Sequence, residues 1–187
     1  MIVLVGKSGT GKTTIANAME KLGYNKVTTY TTRPIRKGEV DGVDYKFISI
    51  PEFKRKLRAG ELAEYKKYNA SFGDCYYGSD RDSYIQGNVV VLNPYGVVQI
   101  IKQGIKPYIV KIETSTYDIL NRLQNRGDRL EEISRRLLAD IKDLEMIEEH
   151  IDITLENSNN TDINKLAKLI IELARDSKYM QEKEHNK

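Results

Sequence analysis

Near the start of the chain, Gly6-Lys7-Ser8-Gly9-Thr10-Gly11-Lys12-Thr13 fills every fixed position of the pattern G-x-x-x-x-G-K-[ST]. Each residue type in it answers one demand of a bound polyphosphate. The glycines let the backbone turn its N–H groups inward around phosphate oxygens. Lys12 supplies a point charge for the β- and γ-phosphates, and the Thr13 hydroxyl is an oxygen ligand of the kind Mg2+ takes. A helix starting here adds partial positive charge at its N-terminus. A plain glycine-rich turn explains the glycines but neither Lys12 nor Thr13. Gly6, Lys7, Ser8, Gly9, Thr10, Gly11, Lys12, Thr13 and the adjoining Thr14 are therefore expected to line a nucleoside triphosphate site, with Mg2+ as cofactor and Thr13 as its protein ligand.

Such a loop works only between a strand and a helix. Residues 2–5, Ile-Val-Leu-Val, are short and β-branched enough for a buried strand, and residues 14–22 carry apolar side chains at helical spacing. Further strands are expected at 89–92, 108–112 and 151–155. Helical patterns start near Pro94 and cover 116–126, 130–150 and 161–174. This alternation predicts an α/β fold, a parallel sheet of the P-loop NTPase type with helices on both faces. Ligands of such sheets bind beyond the carboxyl ends of the strands, where the loop lies.

The stretch from Arg33 to about Asn88 breaks the rhythm. It is richer in tyrosine and charge. Short alternations at 45–48, 61–65 and 75–78 read as strands of a small inserted mixed lobe, a natural place for a second substrate. Composition narrows the rest. The 187 residues carry a formal charge of only +3, so no general affinity for nucleic acid or membrane follows. One cysteine, Cys75, suits a reducing compartment, and no apolar run approaches the ~20 residues of a membrane span. A cytoplasmic protein is expected.

Within the lobe, Arg33 and Arg36 flank Pro34, which stiffens the backbone so that both guanidinium groups can face one anion. Tyr45 and Tyr77 can donate hydroxyl hydrogen bonds to the same anion. Taken alone, Arg-x-x-Arg spacing favours a solvated basic loop with incidental tyrosines.

The longer pattern goes further. T-T-R-x-x-R-x-G-E-V-D-G-x-D-Y-x-F spans residues 31–47, followed by Glu64, Y-Y-G-S at 76–79, R-G at 126–127 and R-R-L at 135–137. In this order the chain resembles guanylate kinase, from the phosphate loop to about residue 145. The resemblance implies that ATP and GMP or dGMP are the substrates. It implies that Arg33, Arg36, Tyr45 and Tyr77 hold the monophosphate, and that Glu64, Ser79 and Thr29 read guanine. Arg126 and Arg136 match arginines folded over the transferred phosphate, which with Lys12 and Arg33 make the catalytic set. Glu39 is carried over as a partner orienting the arginines, with a solvated turn glutamate as the other reading. Arg122, Arg129 and Arg135 read as a charged helix face, Arg135 pairing with Glu131 or Glu132. His150 reads as a capping or surface residue. The implied layout is a core of residues 1–32, 88–125 and 138–176, a monophosphate lobe of 33–87, a lid of 126–137 and a flexible tail of 177–187. No oligomeric state follows.

Two departures stand out. Asn93-Pro94 occupies the place where the family presents an Asp-x-Asp pair, which puts metal affinity and guanine selectivity in question. Residues 69–74 lengthen the turn before Tyr77, and Asp74 or Asp80 could replace a lost carboxylate. Two alternatives follow: a kinase preferring another base, and a binding domain that no longer catalyses. The intact Gly6–Thr13 loop speaks against the second.

Overall fold

The computed structural model describes residues 1–36, 38–70 and 73–185. β1 (Ile2–Val5) is buried on both faces, and its alternating side chains build two separate apolar layers. Ile2 and Leu4 pack with Ile15, Met19, Leu166 and Ile170 on one side. Val3 and Val5 pack with Val97, Ile100, Leu144 and Ile147 on the other. That two-sided burial is the mark of a central strand in a parallel sheet covered by helices.

The elements follow in order: α1 (Lys12–Lys21), β2 (Asn25–Lys26), β3 (Tyr30–Thr31), β4 (Lys46–Phe47), α2 (Ile50–Arg58), β5 (Leu62–Ala70), β6 (Gly73–Asp80), β7 (Asn88–Val91), α3 (Pro94–Lys102), β8 (Tyr108–Glu113), α4 (Thr116–Asn125), α5 (Leu130–Glu145), β9 (Ile153–Glu156) and α6 (Ile163–His185). The core sheet runs β2-β7-β1-β8-β9, every pair parallel. The chain leaves β1 for β2 on the β7 side and later crosses from β7 to β8 on the other, so the turn after β1 opens at a topological switch point.

The inserted lobe carries its own mixed sheet, β4-β3-β6-β5, around Tyr30, Phe53 and Leu62. Through β3 it takes in Tyr30 and Thr31, ahead of the boundary at residue 33 read from sequence. The lobe also contains α2, where sequence patterning predicts only strands; Ser49 caps it, accepting from the Glu52 N–H, and Phe53 is its one buried residue. The residues of the expected lid divide between the turn after α4 and the first turns of α5. α6 continues past Ala174 to His185, so residues 177–185 of the expected tail are helical. None of the helices is long and apolar enough to cross a membrane, among the described residues.

The two departures acquire a local explanation. Asn93 is the N-cap of α3: its Oδ1 accepts the Gly96 N–H at 3.0 Å, and Pro94 opens the first turn. The β5–β6 hairpin stays paired out to Asn69↔Asp74 and Ala70↔Gly73, with Ser71 and Phe72 outside the described residues.

Candidate active site

The turn between β1 and α1 is held from several sides. Gly11 precedes α1 at φ 87°, and no side chain caps the helix, so its first N–H groups have no side-chain acceptor. A Cβ on Gly11 would come within 2.4 Å of the Asn157 amide nitrogen, and one on Gly6 within 2.3 Å of the Ile112 carbonyl. Both positions therefore need glycine. Lys12 Nζ donates to the carbonyls of Gly6 and Lys7, each at 2.7 Å. Burial pulls the ammonium down to about 8; the Asp140 charge opposes this and the Arg126 charge adds to it. Ser8 donates its N–H to Asp140 at 2.6 Å.

Arg122 is not part of a solvated helix face. Its guanidinium donates to the carbonyls of Gly9 (3.3 Å) and Asn157 (3.0 Å), and Asn157 Nδ2 donates to the Thr10 carbonyl at 2.8 Å. Together they clamp the phosphate loop to the segment after β9. Beside them a groove is lined by Gly11, Thr14, Arg122, Asn157, Asn159 and Thr161, among others. Sequence spacing carried no signal for this clamp, since Asn157 lies 147 positions from Thr10. Thr13 and Thr14 are exposed on the first turn of α1.

In the lobe Arg33 is 5% exposed, with four of its five guanidinium N–H groups engaged. Its terminal nitrogens form a two-point pair with Glu39 (2.7 and 2.5 Å), and Nε donates to the Tyr77 hydroxyl at 3.0 Å. Its guanidinium lies 5.0 Å from the Tyr45 ring centre and 5.4 Å from that of Phe47. Burial works against its charge, but the Glu39 hydrogen bond wins and holds Arg33 above its ordinary range. Glu39 also accepts the Arg36 N–H at 2.8 Å, so it orients the arginine segment rather than sitting in solvent. Because the Tyr77 oxygen accepts from Arg33, its own hydrogen is free to be donated. Arg36 is different. Burial, then the charges of Arg33 and Arg136, push it below its ordinary range, with Arg126 adding to the effect and Tyr77 opposing it. Among the described residues Arg36 forms no ion pair with a carboxylate.

Glu64 and Ser79 face each other across the β5–β6 pair, 2% and 0% exposed. Ser79 Oγ donates to Glu64 Oε1 at 2.7 Å and sits 2.6 Å from the Tyr84 hydroxyl. Ser79 has a single hydrogen, spent on Glu64, so Tyr84 is the donor to Ser79. Burial pushes the Glu64 carboxyl up to about 7, the Ser79 hydrogen bond only partly opposing it. Tyr84 is a site residue that motif spacing did not flag. Thr29 contributes its backbone carbonyl to Lys46 at 2.9 Å.

The lid arginines are held by their own acids. Arg126 pairs with Asp128; Arg136 pairs with Glu132 at 2.7 Å and with Asp128 at 3.6 Å. Arg135 takes Glu132 at 2.9 Å, its expected helical partner. Asp74 pairs with Lys67, and Asp80 accepts from Tyr30 at 2.6 Å and pairs with Lys56 and Lys46. Neither replaces a carboxylate beside the phosphate loop.

A loop shaped for polyphosphate, an arginine-lined anion site on a separate lobe, and cationic side chains whose fields reach both define a phosphotransferase acting between two nucleotides. Comparison with known proteins names the family. The model of the family described as guanylate kinase matches residues 1–173. The chain is 33% identical over 150 residues to guanylate kinase of Thermosynechococcus vestitus, covering 74% of this chain and 75% of that one. It is 34% identical over 154 residues to guanylate kinase of Protochlamydia amoebophila, covering 78% and 76%. The crystal structure of guanylate kinase from Anaplasma phagocytophilum shares the fold, with a TM-score of 0.69 at 23% identity over 95% of this chain and 85% of that one. The chain belongs to the guanylate kinase family and is an ATP-dependent nucleoside monophosphate kinase.

Proposed function

We propose that this chain moves the γ-phosphate of ATP onto GMP or dGMP, giving ADP and GDP or dGDP. The observation that carries the reading is Glu64: a buried carboxylate, without an ion pair among the described residues, on the same small sheet as the Arg33–Tyr77 anion site. Guanine offers an N1–H and N2–H2 donor pair to one carboxylate, and adenine has no such pair.

The monophosphate needs no strong base, because its second pKa of ~6 leaves it largely dianionic near neutrality. Placement and charge neutralisation do the rest. Arg33, fixed by Glu39, and Arg36 hold the acceptor phosphate, with Tyr45 and Tyr77 donating to it. Lys12, Arg126 and Arg136 leave their present partners for the transferred phosphoryl oxygens. The groove at Gly11, Thr14 and Arg122 takes the nucleoside of ATP. Asn157, which lines it, is fixed by its Nδ2 bond to the Thr10 carbonyl. The exposed Thr13 hydroxyl fits a hard cation that takes its other oxygens from phosphate and water. Mg2+ bound there supplies charge neutralisation on the β- and γ-phosphates.

A coupled assay with ATP and Mg2+ across the nucleoside monophosphates tests the reading. Turnover is expected with GMP and dGMP well ahead of AMP, CMP and UMP. No turnover with either guanine nucleotide overturns it.

A further inference from the structure

The Asp140–Ser8 contact is not needed by the reaction just derived. Asp140 sits on α5, and its Oδ2 takes the backbone N–H of Ser8, inside the phosphate loop, at 2.6 Å. A carboxylate accepts from a loop N–H for the same reason a phosphate does: both are oxyanions meeting an aimed backbone donor. Two other acids of this helix are employed elsewhere. Glu132 holds Arg135 and Arg136, and Asp143 holds Lys66 at 2.9 Å. The Ser8 N–H is the one hydrogen-bond partner of Asp140 among the described residues, and no lysine or arginine pairs with it there.

Its charge is felt from three directions. It supports the ammonium of Lys12, the guanidinium of Arg135 on its own helix, and it disfavours ionisation of Tyr68 on β5. Asp140 therefore lies where the phosphate loop, the arginine-bearing helix and the lobe meet, which is the space a transferred phosphoryl group crosses.

We propose that Asp140 stands in for a donor phosphate in the nucleotide-free protein, so that ATP binds by exchange and Asp140 sets donor affinity. The proposal rests on the ATP-site reading above. One N–H cannot serve two oxyanions at full strength, and two like charges at that distance repel. An arriving phosphate takes the Ser8 N–H and drives the carboxylate off. In the empty site the same carboxylate supports the positive charges of Lys12 and Arg135.

The experiment is calorimetric titration of the full chain with inorganic tripolyphosphate and, separately, with ATP plus Mg2+, comparing wild type, Asp140→Asn and Asp140→Ala. Thermal melts check that each variant folds, and Asp140→Asn preserves size and a weaker acceptor. Both ligands are expected to bind about ten-fold tighter to Asp140→Ala, from loss of a competing charged hydrogen bond, and tighter by less to Asp140→Asn. The KM for GMP is expected to stay at its wild-type value. Unchanged or weaker binding of both probes by the variants, with the wild type binding normally, overturns the exchange alone. Normal tripolyphosphate binding with a raised Mg2+ requirement for ATP also overturns it, moving Asp140 to the metal. A wild type that binds neither probe overturns the ATP reading and this proposal together.

Discussion

Glu64 and Gly96 are fitted to each other so closely that a Cβ on Gly96 would lie 2.8 Å from Glu64 Oε2 and 3.2 Å from its Cδ. The carboxylate belongs to β5 and the glycine to the first turn of α3, which Asn93 caps. Core and lobe thus leave no room for even one side-chain carbon between them. Gly96→Ala forces the carboxylate to move. Alanine favours a helix over glycine by roughly 0.5–1 kcal/mol, which offsets the cost of shifting one carboxylate, so melting temperature changes little. Steady-state kinetics are expected to show a KM for GMP about ten-fold higher, the loss of one well-placed charged hydrogen bond, with the KM for ATP unchanged.

Glu64 also predicts how affinity and stability vary with pH. Its carboxyl titrates near 7 in the folded protein, against 4.5 ordinarily. Protonated, it cannot accept from both guanine donors, so the KM for GMP is expected to rise as pH falls below 7. Stability moves the opposite way. The native state binds the extra proton between pH 4.5 and 7, so the contribution is complete below 4.5 and is lost as pH rises through 7, roughly 3 kcal/mol in all. Glu64→Gln removes that slope, which denaturant unfolding at several pH values detects. A variant with the wild-type slope places the titration elsewhere.

Arg33 and Glu39 form the least exposed ion pair of the lobe, their side chains 4% and 18% exposed. Glu39→Gln strands a guanidinium in a buried setting. A cost of about 2 kcal/mol is expected, because Glu39 keeps some solvent, lowering melting temperature by roughly 4–8 °C. The catalytic efficiency towards GMP falls with it, since Arg33 loses the partner that aims it. A melting temperature equal to wild type removes the orienting role.

Lys12 is expected to make ATP binding weaken at alkaline pH. Ligand-free, burial holds its pKa near 8, below the ordinary 10.5. Above pH 8 the native protein must take up a proton to present the charge that phosphate needs. The ATP-induced rise in melting temperature should therefore shrink from pH 8 to pH 10. In Lys12→Met it should be small at every pH. For the ligand-free protein the sign reverses: the unfolded chain binds more protons between 8 and 10.5, so stability gains with pH across that window.

Sequence made the donor half of the site legible because its chemistry is local: strand, loop and helix start are contiguous, and Gly6 to Thr13 stand where the pattern puts them. The core strands read well for a related reason, being short β-branched runs buried on both faces. β2 and β3 leave almost no periodicity because they are two residues long; α2 carries an amphipathic pattern and a Ser49 cap, but it is short, highly charged and set among strand-like alternations. Arg122, Tyr84 and Asp140 were out of reach for a different reason. Each works on a partner that tertiary folding brings to it, and the Asp140–Ser8 bond joins residues 132 positions apart. Asn93-Pro94 was seen as a missing acid. The structure gives it a positive job, helix capping.

The lobe's small apolar nucleus has a consequence for how the protein comes apart. Tyr30, Phe53 and Leu62 are its buried apolar members, while the layers beneath β1 draw on two much larger sets. β3 and β4, of two residues each, protect few amide hydrogens, and β5 lies at the sheet edge. On warming, the lobe is expected to open first, and amide exchange should report it as a separate foldon. Between the two transitions the chain should then hold ATP while it has lost its acceptor.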